Sequence, residues 1–361
     1  MKNDKIFINI SENIQEFNIL LNILDNIREA ILLLDNCYKI LFINRQFKKF
    51  FGIKENDFSN KCLQDLIYHK KLFSIIDAVF KTSQEIRDEI ELQYPENRIL
   101  SVTGKPVKLP IIEGPHKNTA LFTFYNITKL KRLEQIKTDF VAAVSHEIKT
   151  PITAIKGFAE TLLEGALDDK ENARKFLEII KKHSERLNSL VEDLLILSAI
   201  ELGELKVNKT NVNLLEIIET VVTTLEEKAK KKKLYLKKEI YSKKVPIIYA
   251  DRDKLIQILI NLVDNGIKFT EKGGVTIRYT SSPPSICVED TGIGIPKEHL
   301  PRLGERFYRV DKARSRELGG TGLGLAIVKH FVKAHGWHMI IESEVNKGTK
   351  VSLLGIKVKE S

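Results

Sequence analysis

The chain has 361 residues, of which 43% are hydrophobic and 29% charged, and its formal net charge is +10 at pH 7. This composition is typical of folded domains and excludes a disordered chain, and the length allows two or three domains. The three cysteines lack CxxC spacing, so we expect neither disulfides nor a zinc site. No apolar run reaches the roughly 18 residues of a membrane span, so we expect a cytoplasmic protein, for which a membrane tether is possible only through an upstream segment or a partner.

Nearly all the excess positive charge lies in residues 206–361. A basic domain can attract nucleic acid or a polyanionic nucleotide. The lysine run Lys228 and Lys230–Lys233 follows an apolar pattern at helical spacing and has no interleaved aromatic residues. We therefore expect a solvated helix end here, and no nucleic-acid partner.

The first third of the chain predicts a helix over residues 14–27 and then the segment AILLLDNCYKILFIN, two apolar runs around a turn at Asp35-Asn36. Two helices and three strands follow, over Gln46–Phe51, Lys70–Phe80, Arg87–Tyr94, Ile99–Val107 and Leu121–Tyr125. This order resembles a PAS domain, and Asn126-Ile127-Thr128 resembles the Asp-Ile-Thr that closes many of them. The asparagine loses a charge but keeps a side-chain acceptor. Neither the sequence around Cys62 nor His69 identifies a PAS ligand, which stays unknown.

Two helical stripes follow, from Leu130 to Ile148 and from Phe176 to Leu197, with a polar break at Asp168-Asp169-Lys170. Two antiparallel helices cannot bury both stripes alone, which favours pairing with a second copy into a four-helix bundle. We expect a homodimer that forms through residues 128–205 and also through the PAS domain.

Beyond residue 205 strands and helices alternate, and glycines cluster between 273 and 324. Glycines often mark only turns, but these lie beside polar residues in four short motifs that favour a nucleotide pocket. The motifs are NLVDNGIKFT with Asn261 and Asn265, Asp290-Thr-Gly292-Ile-Gly294, Glu305-Arg-Phe307-Tyr-Arg309, and Gly320-Thr321-Gly322-Leu323-Gly324.

Together with FVAAVSHEIKTP at residues 140–151, these motifs resemble in order and spacing the H, N, G1, F and G2 boxes of sensor histidine kinases of two-component systems. The resemblance implies a multidomain α+β chain. Its parts are a PAS sensor domain with an antiparallel sheet (1–127), a HisKA two-helix hairpin forming a dimeric four-helix bundle (128–205), and an α/β-sandwich ATP-binding HATPase domain of the Bergerat or GHKL type (206–361).

On the acceptor side, the resemblance implies that His146 takes a phosphoryl group from ATP. A neutral imidazole predominates near pH 7 and is nucleophilic. Glu147 corresponds to the family's carboxylate that fixes the histidine tautomer, although a surface ion pair is the simpler alternative. Thr150 corresponds to a threonine that positions water for dephosphorylating the partner protein. Pro151 removes a helical hydrogen bond, so we expect the helix to bend or loosen there.

On the nucleotide side, Asn265 is the expected Mg²⁺ ligand, because Mg²⁺ prefers oxygen ligands, and Asn261 and Lys268 share its helix face. The resemblance assigns adenine recognition to Asp290 and the phosphates to the last glycine motif. Gly266 replaces the usual alanine and is expected to loosen the helix. Residues 296–318 resemble a mobile lid that Phe307 anchors and Arg309 joins to the γ-phosphate. Gly292 and Gly294 are expected to let the backbone approach the base and sugar, and the last glycine motif consists of Gly320, Thr321, Gly322, Leu323 and Gly324. A solvated position and a phosphate contact stay equally open for the basic residues Arg306, Lys312, Arg314 and Arg316.

Two alternatives stay open. Chaperone, mismatch-repair and topoisomerase ATPases share the pocket but carry a water-activating glutamate where this chain has Asn261. A PAS scaffold with an inactive kinase module would lack His146, Asn265 or the glycines.

The expected function is autophosphorylation on His146, transfer to an aspartate of a separate response regulator docking near residues 152–162 and 191–199, and a phosphatase activity through Thr150.

Overall fold

The computed structural model describes residues 18–54, 61–108, 118–242, 245–311 and 320–358. Residues 14–17 of the predicted first helix and three basic lid residues, Lys312, Arg314 and Arg316, lie outside this part. The chain divides into two compact units, Met1–Thr138 and Asp139–Ser361. Within the described ranges, none of the helices combines the length and apolar character required to cross a bilayer.

The first unit contains one antiparallel five-stranded sheet with strand order β2-β1-β5-β4-β3. The predicted hairpin, two helices and three strands are confirmed, whereas the four-residue helix α3 was not predicted because it is too short to show a period. The elements are α1 (residues 18–26), β1 (Ala30–Asp35), β2 (Ile40–Ile43), α2 (Arg45–Phe51), α3 (Leu63–Leu66), α4 (Lys70–Thr82), β3 (Ile86–Leu92), β4 (Arg98–Val107) and β5 (Thr119–Asn126).

A buried asparagine, Asn44, organises the start of this unit. The Asn44 amide donates to the carbonyls of Leu24 and Glu29 at 2.9 and 2.8 Å, and its oxygen accepts from the backbone of Ile31 and Phe47. This one side chain therefore caps α2 and fixes the entry into β1.

The closing Asn126-Ile127-Thr128 segment behaves as its sequence predicts. The Asn126 side-chain oxygen accepts from the Thr128 amide and hydroxyl at 3.0 and 2.6 Å, and the Thr128 hydroxyl accepts from the Ile99 amide at 2.9 Å. Asparagine thus keeps the acceptor that an aspartate would supply.

A helical hairpin follows β5 and belongs to the second unit from Asp139 onward. It consists of α5 (Thr128–Thr161), a π-helical stretch (Leu162–Ala166) and α6 (Lys170–Glu201), and α5 is helical on both sides of the buried Pro151. The Asp169 carboxylate caps α6 by accepting from the amides of Glu171 and Asn172. The predicted polar break is confirmed, with its capping residue inside it.

The rest of the second unit is an α/β sandwich. A five-stranded sheet of order β11-β12-β10-β9-β7 is antiparallel except for the parallel pair β7 and β9, and three helices pack against it. The elements are β6 (Thr210–Asn213), α7 (Leu214–Lys231), β7 (Tyr235–Tyr241), β8 (Ile247–Ala250), α8 (Arg252–Phe269), β9 (Gly274–Ser281), β10 (Pro284–Asp290), a 3₁₀ helix (Lys297–Arg302), α9 (Gly324–Ala334), β11 (His338–Glu344) and β12 (Gly348–Leu354).

The lysine run ends α7 as predicted, but it is not simply solvated. The Lys232 ammonium donates to the carbonyls of Ile267, Lys268 and Thr270 at 2.9, 2.8 and 3.4 Å, and Lys228 pairs with Asp264. Two of these lysines therefore hold α7 against the C-terminal end of α8. Both lysines are exposed, as predicted for a solvated helix end, and they make these contacts in addition.

Candidate functional site

A cavity of about 280 Å³ lies among α8, the end of β10 and the loop that leads into α9. It brings together most of the residues predicted to bind a nucleotide. Those that line it are Asn261, Asn265, Lys268, Asp290, Gly294, Arg309, Gly320, Thr321, Gly322 and Gly324. Gly292, Phe307 and Leu323 belong to the same loops, but they stand outside the lining set.

Helix α8 supplies the polar wall of this cavity. Asn261, Asn265 and Lys268 lie on its cavity-facing side, as their spacing predicts. Asp264 lines the same wall and pairs with Lys268 at 2.9 Å as well as with Lys228. Burial alone would raise the pKa of Asp264, but the two lysines outweigh it and lower that pKa.

Asp290 ends β10 at the far side of the cavity. Its Oδ1 accepts from the backbone amides of Gly292 and Thr349 at 2.8 and 3.1 Å. Burial raises the pKa of this carboxyl, while the two backbone hydrogen bonds act in the opposite direction. The carboxylate is thus fixed in orientation by the protein itself.

The loops around Phe307 and Gly322 pack closely on each other. The Phe307 amide donates to the Gly322 carbonyl at 3.0 Å, and a Cβ on Gly322, where φ is +77°, would lie 3.0 Å from the Phe307 Cα. A glycine is therefore required there. The Phe307 ring packs on Phe140 of α5 with ring centroids 5.6 Å apart, so it anchors this segment to the helical hairpin.

Arg309 connects the cavity to the segment that contains the predicted acceptor. Its Nη1 and Nη2 donate to the two Glu147 oxygens at 3.3 and 3.1 Å, and Nη2 also donates to the Gly320 carbonyl at 2.7 Å. Arg186 of α6 donates to the same carboxylate at 2.7 Å. Glu147 is accordingly bound by two arginines within a nearly buried cluster.

Two more contacts join the cavity loops to α6. The Thr321 hydroxyl donates to Asp193 at 2.7 Å, and Arg306 pairs with Glu201. Burial raises the pKa of Asp193, and the Thr321 hydrogen bond partly offsets this. For Arg306 the sequence left open a solvated position or a phosphate contact, and the structure shows a contact between the loop and the hairpin.

His146 and Thr150 lie on α5 beside Glu147, outside the lining of the cavity. His146 is exposed, and the Thr150 hydroxyl donates to its carbonyl at 3.1 Å. Adjacent helical positions point about 100° apart, so Glu147 can face the arginines while His146 faces solvent.

Three residues of this arrangement were not predicted from the sequence. Arg186 and Asp193 lie on α6, where no motif marks them and only the packing of the hairpin brings them to the site. Asp264 stands directly before Asn265 in NLVDNG, so its place in the motif was the available signal.

This architecture and cavity define an ATPase domain, and the family model for histidine kinase-, DNA gyrase B- and HSP90-like ATPases matches residues 250–360. The histidine kinase A phosphoacceptor domain matches residues 136–203, and a PAS domain matches residues 18–90. With these three domains in this order, the chain belongs to the sensor histidine kinases of two-component systems. The resemblance and the fold class predicted from the sequence are confirmed.

Two relatives illustrate the similarity. The sensor histidine kinase WalK of Bacillus subtilis is 32% identical over 284 residues, which are 76% of this chain and 45% of WalK. The sensor protein SrrB of Staphylococcus aureus is 31% identical over 324 residues, covering 85% of this chain and 54% of SrrB. The chain therefore spans about half the length of these relatives.

Among solved structures, the histidine kinase ThkA in complex with the response regulator TrrA shares the fold. Its TM-score is 0.50 at 24% identity, and the match covers 92% of this chain and 96% of that chain.

Proposed function

We propose that this chain is a protein histidine kinase that transfers the γ-phosphoryl group of ATP to His146. The observation that carries the proposal is the cavity in which Asn265, Asp290 and the glycine loop converge, with Arg309 reaching from it to the residue next to His146. ATP would bind there, with Asp290 accepting from the adenine amino group.

The chemistry requires little beyond positioning and charge neutralisation. As the bond between His146 Nε2 and the γ-phosphorus forms, the bond from that phosphorus to the ADP oxygen breaks. Glu147 would accept a hydrogen bond from Nδ1 and stabilise the charge that develops on the ring. Lys268, Arg309 and the N-terminus of α9 are the cationic or donor groups available to the phosphates.

The donor set of the cavity fits a magnesium ion. Asn265 presents an amide oxygen, a ligand type that Mg²⁺ accepts, and Mg²⁺ commonly takes its remaining ligands from phosphate and water. No group of three or more His, Cys, Asp or Glu residues forms a metal site within the described ranges. Bound there, Mg²⁺ would neutralise phosphate charge.

A labelling experiment tests the proposal. The protein, Mg²⁺ and γ-labelled ATP are incubated, and wild type is compared with His146→Gln and Asn265→Ala. We expect an acid-labile, base-stable label in the wild type, because a phosphoramidate forms, and its loss in both variants. Label that persists in the histidine variant would place the acceptor elsewhere, and a wild type that does not bind ATP would refute the pocket.

We assign the three activities to three domains, sensing to residues 1–127, dimerisation and phosphoacceptance to 128–205, and catalysis to 206–361. Apolar side chains on the hairpin support pairing with a second copy, since Leu163, Leu177 and Leu195 are 80, 54 and 66% exposed in the single chain. A homodimeric four-helix bundle would bury such side chains.

The next acceptor is an aspartate on a separate response regulator, which would dock near residues 152–162 and 191–199. Thr150 would position the water that hydrolyses the aspartyl phosphate of the regulator to aspartate and inorganic phosphate. The regulator used is the one that takes label fastest from His146. We expect Thr150→Ala to keep autophosphorylation and to lose most of its ability to dephosphorylate this regulator. The measurement is the decay of phosphorylated regulator with ADP present, with Thr138→Ala, an exposed position on the same helix outside the docking segments, as control. Equal decay rates for Thr150→Ala and wild type would remove this role.

A further inference from the structure

Arg309 serves two surfaces at once. It lines the cavity, and its guanidinium also binds the carboxylate of Glu147 on α5. Its side chain is only 6% exposed, and that of Glu147 11%. Little water reaches this pair, so the attraction is weakly screened.

The hydrogen-bonding capacity of Arg309 is unevenly used. Both Nη atoms donate to Glu147, whereas Nε is buried without a partner among the described residues. Nε faces the glycine loop, because a Cβ on Gly322 would lie 3.2 Å from it. Nη2 also donates to the Gly320 carbonyl at 2.7 Å, so the edge formed by Nε and Nη2 already holds a partner. A phosphate held in the two-pronged manner on the edge formed by Nη1 and Nη2 would have to displace the carboxylate.

Arg186 can keep the Glu147 carboxylate paired when Arg309 turns to a phosphate. Removing one partner from a buried ion pair is costly because the other charge is left uncompensated. Arg186 reaches Glu147 from α6, within the hairpin itself, and is also only 11% exposed. When Arg309 leaves, the carboxylate keeps one cationic partner.

We propose that the Glu147 carboxylate, held by Arg186, is a built-in competitor of nucleotide phosphate for Arg309. Arg186 is then a positioning residue that makes the exchange reversible. This inference rests on the proposed nucleotide site. It adds that the same carboxylate that would assist His146 opposes nucleotide binding until Arg309 releases it.

Calorimetric titration of the full chain with a non-hydrolysable ATP analogue and Mg²⁺ tests this competition. We expect Glu147→Gln to bind the analogue about five- to tenfold more tightly, a coupling of ordinary size. Glu147→Asp keeps the buried charge but retracts it, so it should fold as the wild type does and bind with intermediate affinity. Glu178→Gln is the control, because Glu178 is an exposed glutamate of α6, outside the proposed docking segments, that pairs with the surface residue Arg174 in the described structure. Its affinity should not change.

Arg186 is tested in two backgrounds. We expect Arg186→Gln alone to weaken analogue binding several-fold, because Arg309 would then leave Glu147 unpaired, and Arg186→Lys to restore part of the affinity. In the Glu147→Gln background the Arg186 substitution should have no effect. A merely structural role for Arg186 would weaken binding in both backgrounds alike.

The outcomes separate the two levels of the hypothesis. Unchanged or weaker binding by both Glu147 variants, or an Arg186 effect that persists without Glu147, overturns the competition while labelling of His146 still stands. A folded wild type that binds no analogue overturns the proposed function and the competition together.

Discussion

At the scale of single residues, His335 is a buried imidazole that connects three segments of the ATPase domain. Its Nε2 accepts from the Asp251 amide at 3.0 Å, its Nδ1 donates to the Phe331 carbonyl at 2.7 Å, and its ring packs on Trp337. Burial lowers the pKa of His335, and Lys209 lowers it further. Trp337 is buried just before β11. The neutral imidazole thus holds the residue that caps α8.

This arrangement predicts a pH dependence of stability. Because the pKa of His335 is lower in the folded than in the unfolded chain, the unfolded chain takes up the extra proton first. Its contribution is fully present above the unfolded pKa of about 6.5 and is lost as pH falls below it, by up to about 1.4 kcal/mol per pH unit. Urea unfolding between pH 7.5 and 5 should show a shallower decline for His335→Gln than for wild type. The exposed His338→Gln is the control, and parallel curves for all three proteins would contradict the assignment.

Between elements, the packing of α8 on the sheet explains Gly266. An alanine Cβ there would lie 2.8 Å from the Val275 Cγ2 and 3.3 Å from the Asp290 Cβ. The sequence suggested only that glycine loosens the helix. The structure shows that glycine lets α8 approach β9 and β10 closely, and Asp290 is one of the residues this approach positions.

The close packing predicts that a helix-favouring substitution destabilises the domain. Gly266→Ala should lower the free energy of unfolding by about 1–3 kcal/mol through overpacking, although alanine has the higher helix propensity by about 1 kcal/mol. Adding Val275→Ala should cost less than the sum of the two single changes. Gly157→Ala, at an exposed helical position with nothing within 4 Å of the new Cβ, should be neutral or stabilising. Denaturant unfolding measures all four, and a stabilised Gly266→Ala would contradict this packing.

For the whole molecule, the exposed apolar side chains of the hairpin predict assembly. Burying a leucine side chain contributes about 1.5–3 kcal/mol, so a charge at Leu177 should oppose pairing strongly. We expect light scattering to give wild type twice the 41.3 kDa of one chain and Leu177→Lys a smaller mass at the same concentration. Arg174→Glu, at a site 84% exposed, is the control. A monomeric wild type would refute the dimer.

How much the sequence predicted depended on the range of the interactions. Local patterns located the strands of the first unit, the two helices of the hairpin and the polar break between them, because periodicity acts over a few residues. Contacts between distant segments were out of reach. Arg186 and Glu147 are 39 positions apart, and Arg309 and Glu147 are 162 apart, so no motif could pair them. The glycines pointed to the cavity, but the close approaches that require Gly266 and Gly322 became visible only in three dimensions.

The bridge that Lys232 makes to three carbonyls has an electrostatic consequence. A cation at the C-terminal end of a helix is stabilised by the partial negative charge there. The positive charge of Lys232 is partly offset by the carbonyls at the C-terminal end of α8. Lys228 is likewise neutralised by Asp264. The lysine run Lys228 and Lys230–Lys233 therefore offers a long polyanion, such as a nucleic-acid backbone, a weaker local field than five unpaired lysines would.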